Sequence, residues 1–356
     1  DFDFMDKPHI VILGAGPAGL GAAFQLTRHG RARVTVVEQQ NLVGGNAGSF
    51  DLADMRVDYG SHRLHPACDA EILQDIRSLL GDDLLDRPRH GRIRLCGRWI
   101  HFPLKPMDLA LGLPARFSVG VAADLLGKAV RRANGHGELE TFASILENGL
   151  GRTICDNFYF PYVQKIWGLE PEALAVTLAQ RRVSANSLGK MMRKILTALS
   201  GSKNGGKGRF FYPRYGYGQI CEAYHRGARD TGADFRLSCR VQSVEIGDAG
   251  ARVLCETRDG QVHSLDADQV WSTIPITILA KCLKPEVPRE VLQAAHGIRY
   301  RAMILIYLVL EQEQFSEFDA HYFPEATIPI SRLSEPKNYS VGQGPKQRTV
   351  LCAELP

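Results

Sequence analysis

The sequence predicts an α/β protein of two domains, and three observations carry that expectation. A short apolar run at 9–13 is followed at once by a glycine-rich turn, Gly14-Ala15-Gly16-Pro17-Ala18-Gly19, and then by a stretch, 20–29, that reads as a helix with small residues Gly21, Ala22 and Ala23 facing the sheet. A second apolar run at 33–37 ends on an acidic residue, Glu38. At 356 residues the chain exceeds one ordinary core and suits two domains of roughly 150 residues each.

Each part of the N-terminal unit has a physical task. A continuous apolar strand is what a parallel sheet buried on both faces requires. Gly14 permits a tight turn, Gly16 lets the backbone approach a pyrophosphate, and Gly19 lets the helix pack closely on the strand. The helix reads over 20–29; its opening offers unpaired amides and a positive dipole end that favour phosphate, and Pro17 and Ala18 just ahead of it are candidate cofactor contacts. Glu38, with Gln39 beside it, stands where a carboxylate accepts hydrogen bonds from a ribose. The strand, helix, second strand and acid together predict a Rossmann-like βαβ dinucleotide site; the motif alone would be weak, and a glycine turn without a ligand is the plainer alternative.

A second glycine-rich loop follows directly, Asn41-Leu42-Val43-Gly44-Gly45-Asn46. It resembles the loop by which glutathione-reductase-like flavoproteins bring backbone close to FAD; a simple turn at Gly44-Gly45 is the alternative reading. Later segments fit the same resemblance. Positions 234–246 read as a strand pair, 251–256 and 261–265 as a hairpin around Asp259-Gly260, and 269–275 as the closing strand and turn of an FAD domain. The resemblance then places the Val241 backbone at the adenine and Thr273 at the cofactor. There is no second G-x-G-x-x-G, so no built-in NAD(P)H site is expected.

Several intervening stretches resemble one superfamily, the FAD-dependent amine oxidases of protoporphyrinogen oxidase-like type together with UDP-galactopyranose mutase. Val57-Asp58-Tyr59-Gly60-Ser61-His62-Arg63-Leu64-His65 is similar to the G-x-H segment that both groups place near the flavin ring. Tyr162 through Gly168, with Lys165 and Trp167, resembles their Y-x-x-K-x-W-G stretch. Tyr212-Pro213-Arg214, Tyr300-Arg301 and Ile330-Ser331-Arg332 match further segments in order. The resemblance implies a glutathione-reductase-type FAD-binding domain, from 5–65 and 210–280, interleaved with an α+β substrate domain from 66–209 and 281–356. It also implies a third FAD segment, a G-D pair before a final helix. None is found, and 352–356 read as a strand, so a chain truncated at that end is expected.

Coarse patterns agree with this organisation. Helical periodicity runs over 70–80, 117–132, 142–150 and 188–199; 92–102 reads as a hairpin around Cys96-Gly97, 302–310 as a buried strand, and 200–208 as a Gly/Ser/Lys linker. The net charge of +4, from 43 basic and 39 acidic residues, is mild, and no basic block points to nucleic acid. Eight scattered cysteines without a C-x-x-C pair read as free thiols of a cytoplasmic protein, not as a zinc site. No signal peptide and no apolar run of about 18 residues is found, so no spanning helix is expected. The apolar stretch at 107–130 reads as a buried helical pair, with peripheral membrane contact as the alternative.

The resemblance makes FAD the cofactor, with two chemistries open. The oxidase-like one moves hydride from a small-molecule substrate to the flavin; the mutase-like one is a redox-neutral isomerisation of a nucleotide sugar. His62 is the candidate to face the flavin, and a hydrogen-bonding spacer is its alternative role. Arg301 and Arg332 are candidate catalytic groups, and with Arg214, Arg181 and Lys165 they are candidate clamps for an anionic substrate, because a guanidinium pairs bidentately with carboxylate or phosphate. Ion pairs within the protein would use the same chemistry. Tyr162, Trp167, Tyr212 and Tyr322 are candidate substrate-pocket aromatics, with core packing as the alternative.

Overall fold

The computed structural model describes residues 7–102, 108, 112–131, 141–182, 208–340 and 344–356. They form two compact units, one from Asp1–Asp86 and Phe211–Tyr300, the other from Arg87–Phe210 and Arg301–Pro356. The helix expected over 188–199 and the linker up to 207 lie outside the described residues.

In the first unit, β1 (His9–Leu13) leads through the glycine turn into α1 (Pro17–Arg28) and on to β2 (Arg33–Val37). The short strands β3 (Ser49–Leu52) and β4 (Met55–Asp58) make an antiparallel ribbon, and α2 (Ala70–Leu80) follows, with Asp69 capping its first amides. When the chain returns it forms α3 (Gln219–Asp230), β5 (Asp234–Arg236), β6 (Cys239–Gly247), β7 (Gly250–Thr257), β8 (Val262–Ala267) and β9 (Gln269–Ser272). The helices α4 (Ile276–Cys282) and α5 (Arg289–Gly297) close the unit. The main sheet is parallel, in the order β9-β1-β2-β5.

The unbroken apolar run of β1 has a simple cause. Successive side chains point to opposite faces of a strand, and both faces are covered. Ile10 and Ile12 pack with Leu20 and Ala23 of α1 and Ala223 and Ala228 of α3. Val11 and Leu13 pack on the other side against Cys239, Val244, Val253 and Cys255 of the antiparallel sheet. The expected hairpin is present as β7 and β8. The expected strand pair over 234–246 is not a pair: β5 joins the parallel sheet beside β2, whereas β6 pairs with β7 in the second sheet. The turn between them carries Ser238 at φ 55°, which redirects the chain from one layer to the other.

The second unit is built on a six-stranded mixed sheet. Its order is Ile304–Leu310, Thr349–Leu355, Arg332–Ser334, Ala320–Tyr322, Gly91–Leu95, Arg98–Phe102. The hairpin at Cys96-Gly97 forms as expected, with both residues at positive φ (50° and 76°), the two-residue turn that suits strand twist. Ile93, Leu95 and Ile100 face Phe117, Phe142, Leu146 and Val163 from the helical layer. Thr141 and Ser144 cap helix Phe142–Leu150 reciprocally. The strand expected to be buried at 302–310 is instead, among the described residues, an edge strand, with Ile304, Ile306 and Leu308 exposed. In helix Ala115–Arg131, Phe117 is in the core while Val119 and Leu126 face outward. Among the described residues no helix is long and apolar enough to cross a membrane, and all eight cysteines are free thiols.

Candidate functional site

The first unit gathers its glycines where β1 meets α1. Gly14 adopts φ 99° and its amide donates to the Val37 carbonyl at 2.8 Å, tying the turn to β2. A Cβ on Gly19 would lie 1.9 Å from the Gly14 carbonyl oxygen, so only glycine lets α1 start this close to the strand. A Cβ on Gly16 would meet nothing within 4 Å. That position borders open space, and the first amides of α1 have no acceptor inside the helix. Its first turn carries no acidic residue to oppose an anion.

The second glycine loop comes to the same place. The Gly44 amide donates to the Ala15 carbonyl at 2.8 Å. A Cβ built on Gly45 would stand 3.6 Å from the Gly16 Cα. Pro17, Ala18, Gly45 and Asn46 are exposed around this opening. Glu38 ends β2 beside it. One carboxylate oxygen accepts from the Ala15 amide and the other from the Gln40 amide, both at 2.9 Å. Each oxygen keeps a further lone pair for a sugar hydroxyl. The Cys239 amide donates to the Glu38 carbonyl at 2.9 Å, which brings β6 and the half-buried Val241 to the same end. Gln39 is exposed. A diphosphate at the helix opening and an adenosine along Glu38 fit these residues.

Thr273, expected at the cofactor, is exposed just after β9. Its hydroxyl donates to the Leu13 carbonyl at 2.8 Å, so it latches β9 to β1 behind the turn. A Cβ on Gly14 would strike that hydroxyl at 2.8 Å, which shows how closely the latch sits.

At the end of β4 the chain turns through Gly60 (φ 102°) to buried Ser61 and half-buried His62. The His62 imidazole stacks on Tyr217 with ring centres 5.1 Å apart, and its Nδ1 lies 3.4 Å from the Gly60 carbonyl. Tyr217 itself is a weak acid here: burial pushes its phenol up to about 12. His65 accepts from the Ala67 amide at 3.0 Å and caps the next turn. Behind His62 lies a residue that sequence reasoning passed over. Asp58 is buried, and Ser49, Tyr212 and the Tyr217 amide all donate to it. The available signal was an aspartate closing a strand whose other residues include buried Met55 and Val57.

Several predicted substrate groups prove to be engaged by the protein itself. Tyr212 is fully buried and its hydroxyl donates to Asp58 at 2.7 Å, so it is a core latch and not a pocket residue. Arg214 pairs with Asp83 at 3.1 Å within the first unit. In the second unit Arg332 grips Glu354 with two hydrogen bonds, 2.7 and 3.0 Å. Burial alone would pull its guanidinium down, and the buried Glu354 carboxylate more than reverses this, so its charge is spent. Lys165 donates to the carbonyls of Glu325 and Ile328 at 2.8 and 2.7 Å, and also to those of Phe323 and Ile330. Burial lowers the Lys165 ammonium to about 8 against the pull of Glu325. These carbonyls, not a substrate, are its ligands.

Arg301 is exposed; its only hydrogen bond among the described residues is to the Lys165 carbonyl at 3.5 Å, and it pairs with no carboxylate there. It lies over Gly168, where a Cβ would come within 2.9 Å of its guanidinium. Tyr322 packs on Phe102 at 4.9 Å with the Arg332 guanidinium 6.0 Å from its ring. Tyr162 stacks parallel to Phe158 at 6.1 Å, and Trp167 is 40% exposed. Arg181 belongs to helix Val176–Arg182, and its side chain lies outside the described residues. No group of three metal-binding side chains occurs among the described residues.

Paired glycine loops beside the acid that ends β2 belong to a Rossmann-like fold. Its family is more specific. The profile of the flavin containing amine oxidoreductases matches residues 17–340, and the chain belongs to that family. A flavin is therefore the cofactor its family implies. Among curated proteins, a phytoene dehydrogenase from Streptomyces griseus is 39% identical over 79 residues; the match spans 22% of this chain and only 15% of that protein. Among solved structures, a reduced UDP-galactopyranose mutase is similar over 98% of this chain and 74% of its own, at 24% identity and a TM-score of 0.81. A protein from Exiguobacterium sp. 255-15 provisionally named protoporphyrinogen oxidase covers 98% and 77%, at 17% identity and TM-score 0.71. Putrescine oxidase with bound putrescine covers 98% and 75%, at 15% identity and TM-score 0.62. At these identities the structural likenesses establish the fold.

Proposed function

We propose that this chain binds FAD and is the catalytic part of a flavin-dependent oxidoreductase that acts on a small molecule with an anionic group. The observation that carries the reading is the meeting of two glycine loops, Gly45 against Gly16, beside the Glu38 carboxylate. FAD fits this arrangement better than a mononucleotide does, because a diphosphate and an adenosine ribose both find partners. When bound, a flavin supplies hydride acceptance and delivery at its ring. The chain supplies the rest. The amides of Gly16, Ala18 and Gly19 hold the diphosphate, Glu38 orients the ribose, and His62 stands ready to hold a proton or hydrogen-bond the ring edge. Arg301, exposed and paired with no carboxylate among the described residues, is the candidate to receive a substrate anion.

The test is direct. Purified protein reconstituted with FAD is reduced anaerobically and mixed with oxygen or a quinone in a stopped-flow spectrometer. Reoxidation faster than that of free reduced flavin supports the oxidoreductase. The alternative, a redox-neutral isomerase of a nucleotide sugar, also draws on the exposed Arg301, whose guanidinium suits a diphosphate. Under that reading UDP and UDP-sugars shift the spectrum of the reduced protein, and reoxidation stays at the free-flavin rate. No flavin retained at all would defeat both.

A further inference from the structure

We propose that Asp58 is a positioning residue for the flavin site: it fixes the orientation of His62 by pinning Tyr217. The inference rests on the reading that His62 faces the flavin. It deepens that reading by assigning a role to a carboxylate that touches neither cofactor nor substrate.

The geometry is a convergence of three segments on one buried group. Asp58 is 2% exposed at the end of β4. The Ser49 hydroxyl donates to Oδ1 at 2.6 Å and the Tyr217 amide donates to the same oxygen at 2.8 Å. The Tyr212 hydroxyl donates to Oδ2 at 2.7 Å. Ser49 also accepts from the Gly218 amide at 2.7 Å, so the turn around Tyr217 is held on both sides of that residue. The fit leaves no slack. A Cβ on Gly216 would lie 2.8 Å from the Ser49 hydroxyl and 3.1 Å from Asp58 Oδ1, and one on Gly218 would lie 2.5 Å from the Ser49 amide nitrogen.

This pinned turn presents the Tyr217 ring to His62, stacked at 5.1 Å with a 32° tilt. An imidazole backed by a ring whose main chain cannot shift has few orientations to choose from. Charge supports the same link. All three groups are donors, which suits an ionised carboxylate. Burial raises the Asp58 pKa; the hydrogen bonds from Ser49, Tyr212 and Tyr217, and last the attraction to His62, oppose this without reversing it. A buried carboxylate costs stability unless donors compensate it, and here the three donors carry most of the compensation, with His62 the smallest contribution.

The experiment compares Asp58→Asn, Tyr212→Phe, His62→Asn and the double variant D58N/H62N in the FAD-loaded full chain. Two quantities are read: the ratio of reduced to oxidised flavin at a fixed dye potential, and the thermal midpoint. H62N is expected to change the ratio. D58N changes it in the same direction by about threefold or more, and the double variant matches H62N to within roughly 1.5-fold, because contributions along one path do not add. Y212F, which removes one donor and keeps the carboxylate, gives a smaller change of the same sign and serves if D58N does not fold. A lower thermal midpoint with an unchanged flavin ratio in D58N and Y212F would overturn the proposal, leaving Asp58 as a folding element only. Full additivity in the double variant would overturn it as well. An H62N protein whose flavin ratio equals that of the parent removes the underlying placement of His62, and that failure is distinct from the other two.

Discussion

The two glycine loops of the first unit and the arginine–tyrosine set of the second carry equally suggestive sequences and meet opposite fates. At the glycine loops the recognition groups are main-chain amides, and their positions follow from the turn itself. Gly16 borders open space because the turn and helix place it there. In the second unit the recognition groups would be side chains, and Arg332 and Lys165 are already satisfied by Glu354 and by four carbonyls. A backbone site is encoded locally. A side-chain site depends on what the rest of the fold has left unpaired.

The sharpest way to break this comparison is Gly19→Ala. Its Cβ would sit 1.9 Å from a main-chain oxygen, so the helix must move away from the strand. FAD affinity is expected to fall at least about 100-fold, roughly 3 kcal/mol, measured by flavin fluorescence on titration. An affinity unchanged by G19A would end the claim that the loop is built by close approach.

The next effect in size belongs to the closed ion pair. Arg332→Ala strands the buried Glu354 carboxylate, and urea unfolding should show a loss of about 3 to 5 kcal/mol. The double variant R332M/E354L should recover most of it. A stable R332A protein that only binds substrate poorly would return Arg332 to the anion-binding set.

Acid exposes the second unit in the same manner. His321 is buried, accepts from Arg92 Nε at 2.9 Å and reaches the Ser316 hydroxyl at 3.1 Å. Burial, with Arg92 adding repulsion, lowers its pKa to about 4. The unfolded chain accepts a proton near pH 6.5 that the folded chain refuses, so stability is full above that pH and falls as pH drops toward 4. The loss is roughly 2 to 3 kcal/mol across that window, read from unfolding at a series of pH values. His321→Gln should flatten this part of the slope.

The smallest effect sharpens the boundary of the glycine site. Thr273→Val removes the latch to the Leu13 carbonyl and should cost about 1 kcal/mol while leaving FAD affinity within roughly threefold. A larger loss of flavin would bring Thr273 back among the cofactor contacts.

These contrasts explain what could be read in advance. The apolar run of β1 announced a strand covered on both faces, and Val11 and Ile12 duly face different cores. Cys96-Gly97 announced a two-residue turn through local backbone preference. The stretch at 234–246 misled because two strands in succession look alike whether they pair with each other or part for different layers. Tyr212 and Asp58 lie 154 positions apart, and nothing local in either marks the bond between them. Arg301 and Arg332 look the same in sequence; only the fold gives Arg332 a carboxylate, while among the described residues Arg301 meets a carbonyl alone.

The edge strand Ile304–Leu310 has a consequence for how the protein behaves in solution. One side of it pairs with Thr349–Leu355, while Ile304, Ile306 and Leu308 stand exposed. Such a margin invites self-association strand upon strand, and a net charge of +4 offers little colloidal repulsion against it. Ile306→Lys, far in sequence from the glycine loops, is expected to blunt that tendency, as a lower apparent mass in light scattering at high concentration would report.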